Sequence, residues 1–117
     1  MFFEITQATE TPWMAGIPGG GTGIDYHISL QIKTKEKIQF DSIWVGGQRL
    51  EAFMNPQKEN LVEIKATLMN PREDYFPELV SPPITHQGAA LLRYASGKKI
   101  YWISIKNFIK LNPVALP

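Results

Sequence analysis

The stretch Ile24-Asp25-Tyr26-His27-Ile28-Ser29-Leu30-Gln31-Ile32 alternates apolar and polar residues one for one. Successive side chains leave a β-strand on opposite sides, so this rhythm predicts a strand with one buried face and one wet face. Val62-Glu63-Ile64-Lys65-Ala66-Thr67-Leu68 repeats the pattern and predicts a second such strand. No segment carries a sustained apolar stripe at three-and-four spacing, which leaves helices without a signal.

Residues 37–45, with Ile38, Phe40, Ile43, Trp44 and Val45, are followed at once by Gly46-Gly47. A Gly-Gly pair supplies the positive φ angles of a two-residue hairpin turn, so residues 48–54 are predicted to return as the antiparallel partner. The apolar parity changes from Ile38 and Phe40 to Ile43 and Val45, which predicts a bulge near Asp41-Ser42 or burial on both faces. Residues 89–94 and 99–108 flank Ala95-Ser96-Gly97-Lys98 and read as another hairpin, and residues 2–8 as a weaker first strand. The prolines and glycines fall almost entirely in the connectors, residues 11–22, 55–60 and 70–88, where they do not interrupt a ladder. The predicted fold is all-β: a single-domain antiparallel β-sandwich over residues 1–117, with about seven strands and Ig-like, a small β-barrel being the alternative.

The chain has 117 residues, is 44% hydrophobic, and carries 12 Lys plus Arg against 11 Asp plus Glu, a formal charge of +1. A chain of this size supports one core without metal or disulfides. It has no cysteine, which excludes disulfide bonds, thiol nucleophiles and Cys-ligated metal sites. No apolar run is long enough for a membrane-spanning helix, and Met1-Phe2-Phe3-Glu4 lacks the opening of a secretion signal.

The segment Pro18-Gly19-Gly20-Gly21-Thr22-Gly23 invites a phosphate-loop reading, but a strand follows it instead of a helix and no lysine comes before Lys33. Without the helix N-terminus and the lysine, phosphates have nothing to hold them. The run therefore reads as a tight turn or crossover where a Cβ would not fit. Asp25 and His27 lie two apart on one strand and so on one face, an arrangement that suits a metal pair or an acid–base dyad. His86, in the proline-rich loop, is the only other histidine. The serines lack a nucleophile-elbow setting, and no spaced carboxylate pair suggests glycosidase chemistry. No catalytic residue and no cofactor is expected.

The charge divides unevenly. Residues 1–78 hold 7 bases and all 11 acids, or −4, whereas residues 79–117 hold 5 bases and no acid, or +5. In the last hairpin, Tyr101 and Trp102 sit among Lys98, Lys99 and Lys106, a pattern compatible with a single-stranded nucleic-acid platform but also with edge-strand protection. The near-neutral total argues against a general polyanion binder. Trp102, Tyr101 and Lys99 are the candidate partner contacts. Trp13 is expected to plug one end of the core and Trp44 to be partly buried beside its turn, and both join the candidates because an exposed tryptophan marks a contact site.

Several of these segments together resemble a family: Trp13 with Ala15-Gly16, then Gly19-Gly20-Gly21-Thr22-Gly23 leading into Asp25-Tyr26, Asp41-Ser42-Ile43-Trp44-Val45-Gly46-Gly47, and Ala89-Ala90-Leu91-Leu92-Arg93-Tyr94. The chain resembles a group of small all-β envelope proteins of Bacteroidetes-type bacteria, many of which carry a lipoprotein signal ahead of this region. The resemblance spans most of the chain, rests on glycines and aromatics, and implies an envelope address but no activity. The expected location is periplasmic or lipid-anchored if a signal has been removed, and cytoplasmic otherwise. The leading expectation is a non-catalytic binding or structural module of the bacterial cell envelope, with a protein or envelope component as partner. Edge strands and sheet faces also allow copies of the chain to associate. The alternatives are a metal-dependent or other enzyme centred on Asp25 and His27, and a nucleic-acid-binding domain using the basic C-terminal hairpin.

Overall fold

The computed structural model describes residues 3–16, 21–45, 48–70 and 88–115. They form ten strands: β1 (Phe3–Met14), β2 (Thr22–Ile32), β3 (Ile38–Val45), β4 (Gln48–Glu51), β5 (Phe53–Pro56), β6 (Leu61–Asn70), β7 (Ala90–Ser96), β8 (Lys99–Ile105), β9 (Ile109–Lys110) and β10 (Val114–Ala115). The first sheet has the order β10-β1-β2-β6-β5, with β9 also paired to β1, and the second has the order β4-β3-β7-β8. The two sheets pack face to face as a β-sandwich, and the alternative of a closed barrel falls. Among the described residues there is no helix long and apolar enough to cross a membrane.

The alternation of β2 explains the packing. Tyr26, Ile28 and Leu30 point inward beside Val62, Ile64 and Ala66 of β6, and they meet Ile38, Phe40, Ile43, Ala90, Leu92 and Tyr94 of the second sheet in one cluster. Leu30, Ile43 and Leu92 are fully buried, and each such side chain contributes roughly 1.5–3 kcal/mol relative to exposure. Phe3 links the sheets, lying edge-on to Phe40 at 5.2 Å and to Tyr94 at 5.0 Å.

The bulge predicted from the parity change lies at Asp41. Phe40 stands opposite Tyr94 and Ser42 opposite Arg93, which leaves Asp41 as the extra residue. Both readings of that strand hold, because Ser42 and Trp44 on its other face are buried as well. A second bulge, at Thr6 of β1, falls between the pairs Ile5–Leu30 and Gln7–Ser29.

Three segments depart from the sequence reading. Strand β1 runs on to Met14 through Pro12, where the sequence predicts a loop. The Leu111 N–H donates to the Glu10 carbonyl at 2.9 Å, so Glu10 directs its main chain away from β2 and Pro12, two residues on, directs its missing N–H the same way, into the gap between β9 and β10. The single strand predicted for residues 48–54 changes sheets at Ala52, with β4 paired to β3 and β5 to β6. The Ala52 N–H bonds to the Asp41 carbonyl at 3.1 Å, so the bulge holds the crossing point. The strand predicted for residues 99–108 ends at Ile105, and the chain then moves to the other sheet, where β9 and β10 run parallel to β1. The first sheet is therefore mixed rather than antiparallel.

Turn chemistry explains two of the connections. Glu59 and Asn60 have φ of 58° and 64°, and the Leu61 N–H donates to the Lys58 carbonyl at 3.1 Å, the geometry of a type I′ turn. Gly97, at φ 62°, takes the first central position of the two-residue turn between β7 and β8, as a type II′ turn requires. Gly46 and Gly47 lie outside the described residues, but the flanking register of Val45 opposite Gln48 is that of the predicted hairpin. His86 and most of the predicted loop over residues 70–88 also lie outside them.

Candidate functional site

Asp25 and His27 do share the outer face of the first sheet, as their spacing predicts. Pairing with β6 sets Asp25 opposite Thr67 and His27 opposite Lys65. Each then finds its own partner: the Thr67 hydroxyl donates to Asp25 Oδ1 at 2.9 Å, and His27 Nδ1 lies 2.8 Å from Glu63 Oε1. The Lys65 ammonium reaches the same Glu63 oxygen at 4.0 Å. Among the described residues there is no group of three or more His, Cys, Asp or Glu side chains placed to hold a metal ion. The two residues are brought together on a face but do not converge on a common ligand.

Trp13 does not plug the core. It stands opposite Gly23 on the outer face of the first sheet, and its indole covers that glycine so closely that an added Cβ would collide with the ring. Gly23 is needed for this side chain rather than for a backbone crossing. Trp13, Met14, Ile24 and Val114 line a largely apolar cleft of about 460 Å³ at this end of the sheet.

Trp44 and Trp102 lie on the outer face of the second sheet, brought there by two hairpin registers. Trp44 pairs across β3–β4 with Arg49 and across β3–β7 with Leu91, and Trp102 stands opposite Arg93. Trp44 is 7% exposed and Leu91 1%, and neither belongs to the central cluster. The Arg49 guanidinium lies 5.8 Å from the Trp44 ring centre and donates to the Ser42 hydroxyl through Nε at 3.1 Å and Nη2 at 2.8 Å. Arg93 Nη1 donates to Asp41 Oδ2 at 2.9 Å. The buried side-chain atoms without a hydrogen-bond partner, among the described residues, are all on this sheet: Asp41 Oδ1, Trp44 Nε1 and Trp102 Nε1. Unsatisfied buried polar atoms are uncommon in native proteins, so their concentration on one sheet distinguishes it.

Tyr101 points to the other face of β8, where it stacks on Tyr94 with ring centres 5.3 Å apart. Burial pushes the Tyr94 hydroxyl above its usual pKa, with Tyr101 adding a smaller effect. Lys99 stands at the start of β8, opposite Ser96. With Glu36, Lys37, Lys98 and Tyr101 it lines an open cleft of about 690 Å³ beside the turn. The Ser96 hydroxyl donates to Glu36 at 2.9 Å, which fixes the one acid at this otherwise basic end.

Sequence reasoning singled out the aromatics but missed the arginines beside them. Arg49 was legible in principle, since a two-residue turn at Gly46-Gly47 forces it opposite Trp44. Arg93 follows in the same way from the turn at Gly97-Lys98. Comparison with protein-family models, curated proteins and solved structures finds no match to this chain.

Proposed function

We propose that this chain is a non-catalytic binding module of the bacterial cell envelope that holds a protein partner through hairpin β7–β8. The observation that carries the reading is the position of β8. This apolar, aromatic strand forms the edge of the second sheet, and Ile100 is 39% exposed. Tyr101 and Trp102 are only partly buried there, and lysines stand at both ends. Large apolar side chains left part-exposed at a sheet edge suit a contact site better than a solvated surface. The charge of the C-terminal third adds to the same surface. The envelope address rests on the family resemblance alone.

Site-specific photo-crosslinking in living bacteria tests the reading. A photoreactive residue at position 100 or 104 is expected to trap one and the same protein, recovered with the envelope fraction. The same residue at position 67, on the outer face of the first sheet, is expected to trap none. Equal trapping from position 67, or none from the β8 positions, would overturn the proposal.

A further inference from the structure

The two-residue turn at Gly97-Lys98 makes Ser96 and Lys99 a hydrogen-bonded pair, and in an antiparallel ladder such pairs alternate with non-bonded ones. Tyr101 and Ile103 therefore direct their main-chain groups toward β7. Ile100, Trp102 and Ser104 direct theirs outward, where no described strand meets them. The other edges are protected. Strand β1 carries the Thr6 bulge in its first half, and β9 and β10 pair with its second half at Thr9, Glu10, Trp13 and Met14; β4 and β5 have four residues each, and β5 ends at Pro56. Bulges, shortness and proline all hinder the addition of a strand, and β8 has none of them within its length.

Resting on the proposed binding role, we infer that β8 recruits its partner by strand addition, taking an extended peptide segment with an uncharged centre and acidic ends as a fifth strand of the second sheet. Charge selects the occupant. Lys98 and Lys99 stand before the uncharged run Ile100-Tyr101-Trp102-Ile103-Ser104-Ile105 and Lys106 after it, with no acid between residues 79 and 117. A second copy of β8 is the poorer occupant. The antiparallel register that uses the whole strand centres on Trp102 and sets Lys98 of each copy against Lys106 of the other, and like charges placed opposite are destabilising. Main-chain bonds from Ile100, Trp102 and Ser104 would supply affinity, and the terminal lysines the preference for acidic ends.

The test uses the full chain and two synthetic peptides, a Val-Thr-Val-Thr-Val-Thr centre with Glu-Glu at each end and the same centre with Lys-Lys at each end. The acidic peptide is expected to bind and to protect the Ile100, Trp102 and Ser104 amides from hydrogen exchange. The basic peptide is expected to bind at least about tenfold more weakly, and the double variant Lys99→Glu, Lys106→Glu to lose about five- to tenfold in affinity for the acidic one. N-methylation of alternate residues of the acidic peptide is expected to abolish binding, a control that leaves the protein untouched.

Equal binding of the two peptides, or no protection of those three amides, would overturn strand addition. So would protection by oligo-dT without protection by either peptide, since that identifies a nucleic-acid surface, and so would a dimer of the free chain in which these same amides are already protected. If crosslinking from positions 100 and 104 still traps one protein while the peptides fail, strand addition falls and the binding role stands. If both experiments fail, the binding role falls with it.

Discussion

The edge of β1 and the edge of β8 face the same side of the sandwich, where Ile5, Thr6 and Gln7 share a groove with Ser104, Ile105 and Lys106, yet the chain treats them in opposite ways. The β1 edge is interrupted by a bulge at Thr6, and its second half is paired with β9 and β10. The β8 edge, a few residues earlier in the chain, meets no other strand among the described residues, and its aromatics are part-exposed. Among the described residues, the segment that follows β8 pairs with the first sheet. A bare edge invites pairing, and the proposed partner contact at β8 builds on that difference.

The largest expected effect lies on the β1 side. Phe3→Ala removes the ring that ties β1 to Phe40 and Tyr94, and urea unfolding should show a loss of about 3–5 kcal/mol. Tyr101→Ala, on the bare side, should cost no more than about half of that, because its ring is part-exposed. Equal losses would remove the distinction between the two edges. Next in size, Gly23→Ala drives a Cβ into the Trp13 indole and should cost about 1–3 kcal/mol. The loss should shrink in a Trp13→Ala background, as a double-mutant cycle would show.

Proline substitutions compare the two edges directly. Leu111→Pro deletes the N–H that bonds Glu10 of β1 and should cost about 1 kcal/mol. Ser104→Pro deletes an outward N–H that bonds nothing described and should change stability by less than about 0.5 kcal/mol. If Ser104→Pro proves the more damaging of the two, β8 is not an open edge.

The smallest effect concerns pH. Burial first, and Glu10 and Tyr101 second, hold the hydroxyls of Tyr26 and Tyr94 above the usual phenol value. Their folded-state pKa values are raised, so this contribution is fully present below the unfolded value of about 10 and is lost as pH rises through the folded values. Thermal melts should therefore decline gradually above about pH 10. Tyr94→Phe should flatten part of that decline, and its hydroxyl belongs to the bare side.

Much of the sandwich is legible along the chain because its strands are amphipathic. Alternation finds β2 and β6, Gly-Gly finds the β3–β4 hairpin, and a change of parity finds the bulge at Asp41. The illegible parts have no such signal. In β9 and β10, Ile109 and Val114 are exposed, so these strands hold by main-chain bonds that any sequence could make. The crossing at Ala52 fails for a different reason: a strand keeps its period of two when it changes sheets, and nothing local marks the partner it leaves. Pro12 misleads because its cost depends on which side the missing N–H faces, which only the neighbouring strands determine.

The candidate surfaces divide in the same way. Residue spacing places Asp25 and His27 on one face, and residue type marks Trp13, Trp44, Tyr101 and Trp102. Their fates follow from partners far away in sequence: Thr67 and Glu63 separate the first pair, Gly23 takes Trp13 out of the core, and Arg49 and Arg93 flank the tryptophans of the second sheet.

By itself the sequence determined that this chain is all-β, free of cysteine, acidic in its body and basic in its last third, because composition and side-chain period are local quantities. Which edge is paired and which meets no strand among the described residues was decided only in the tertiary structure. Edge pairing is a matter of main-chain groups identical at every residue, and only the path of the whole chain assigns them a neighbour.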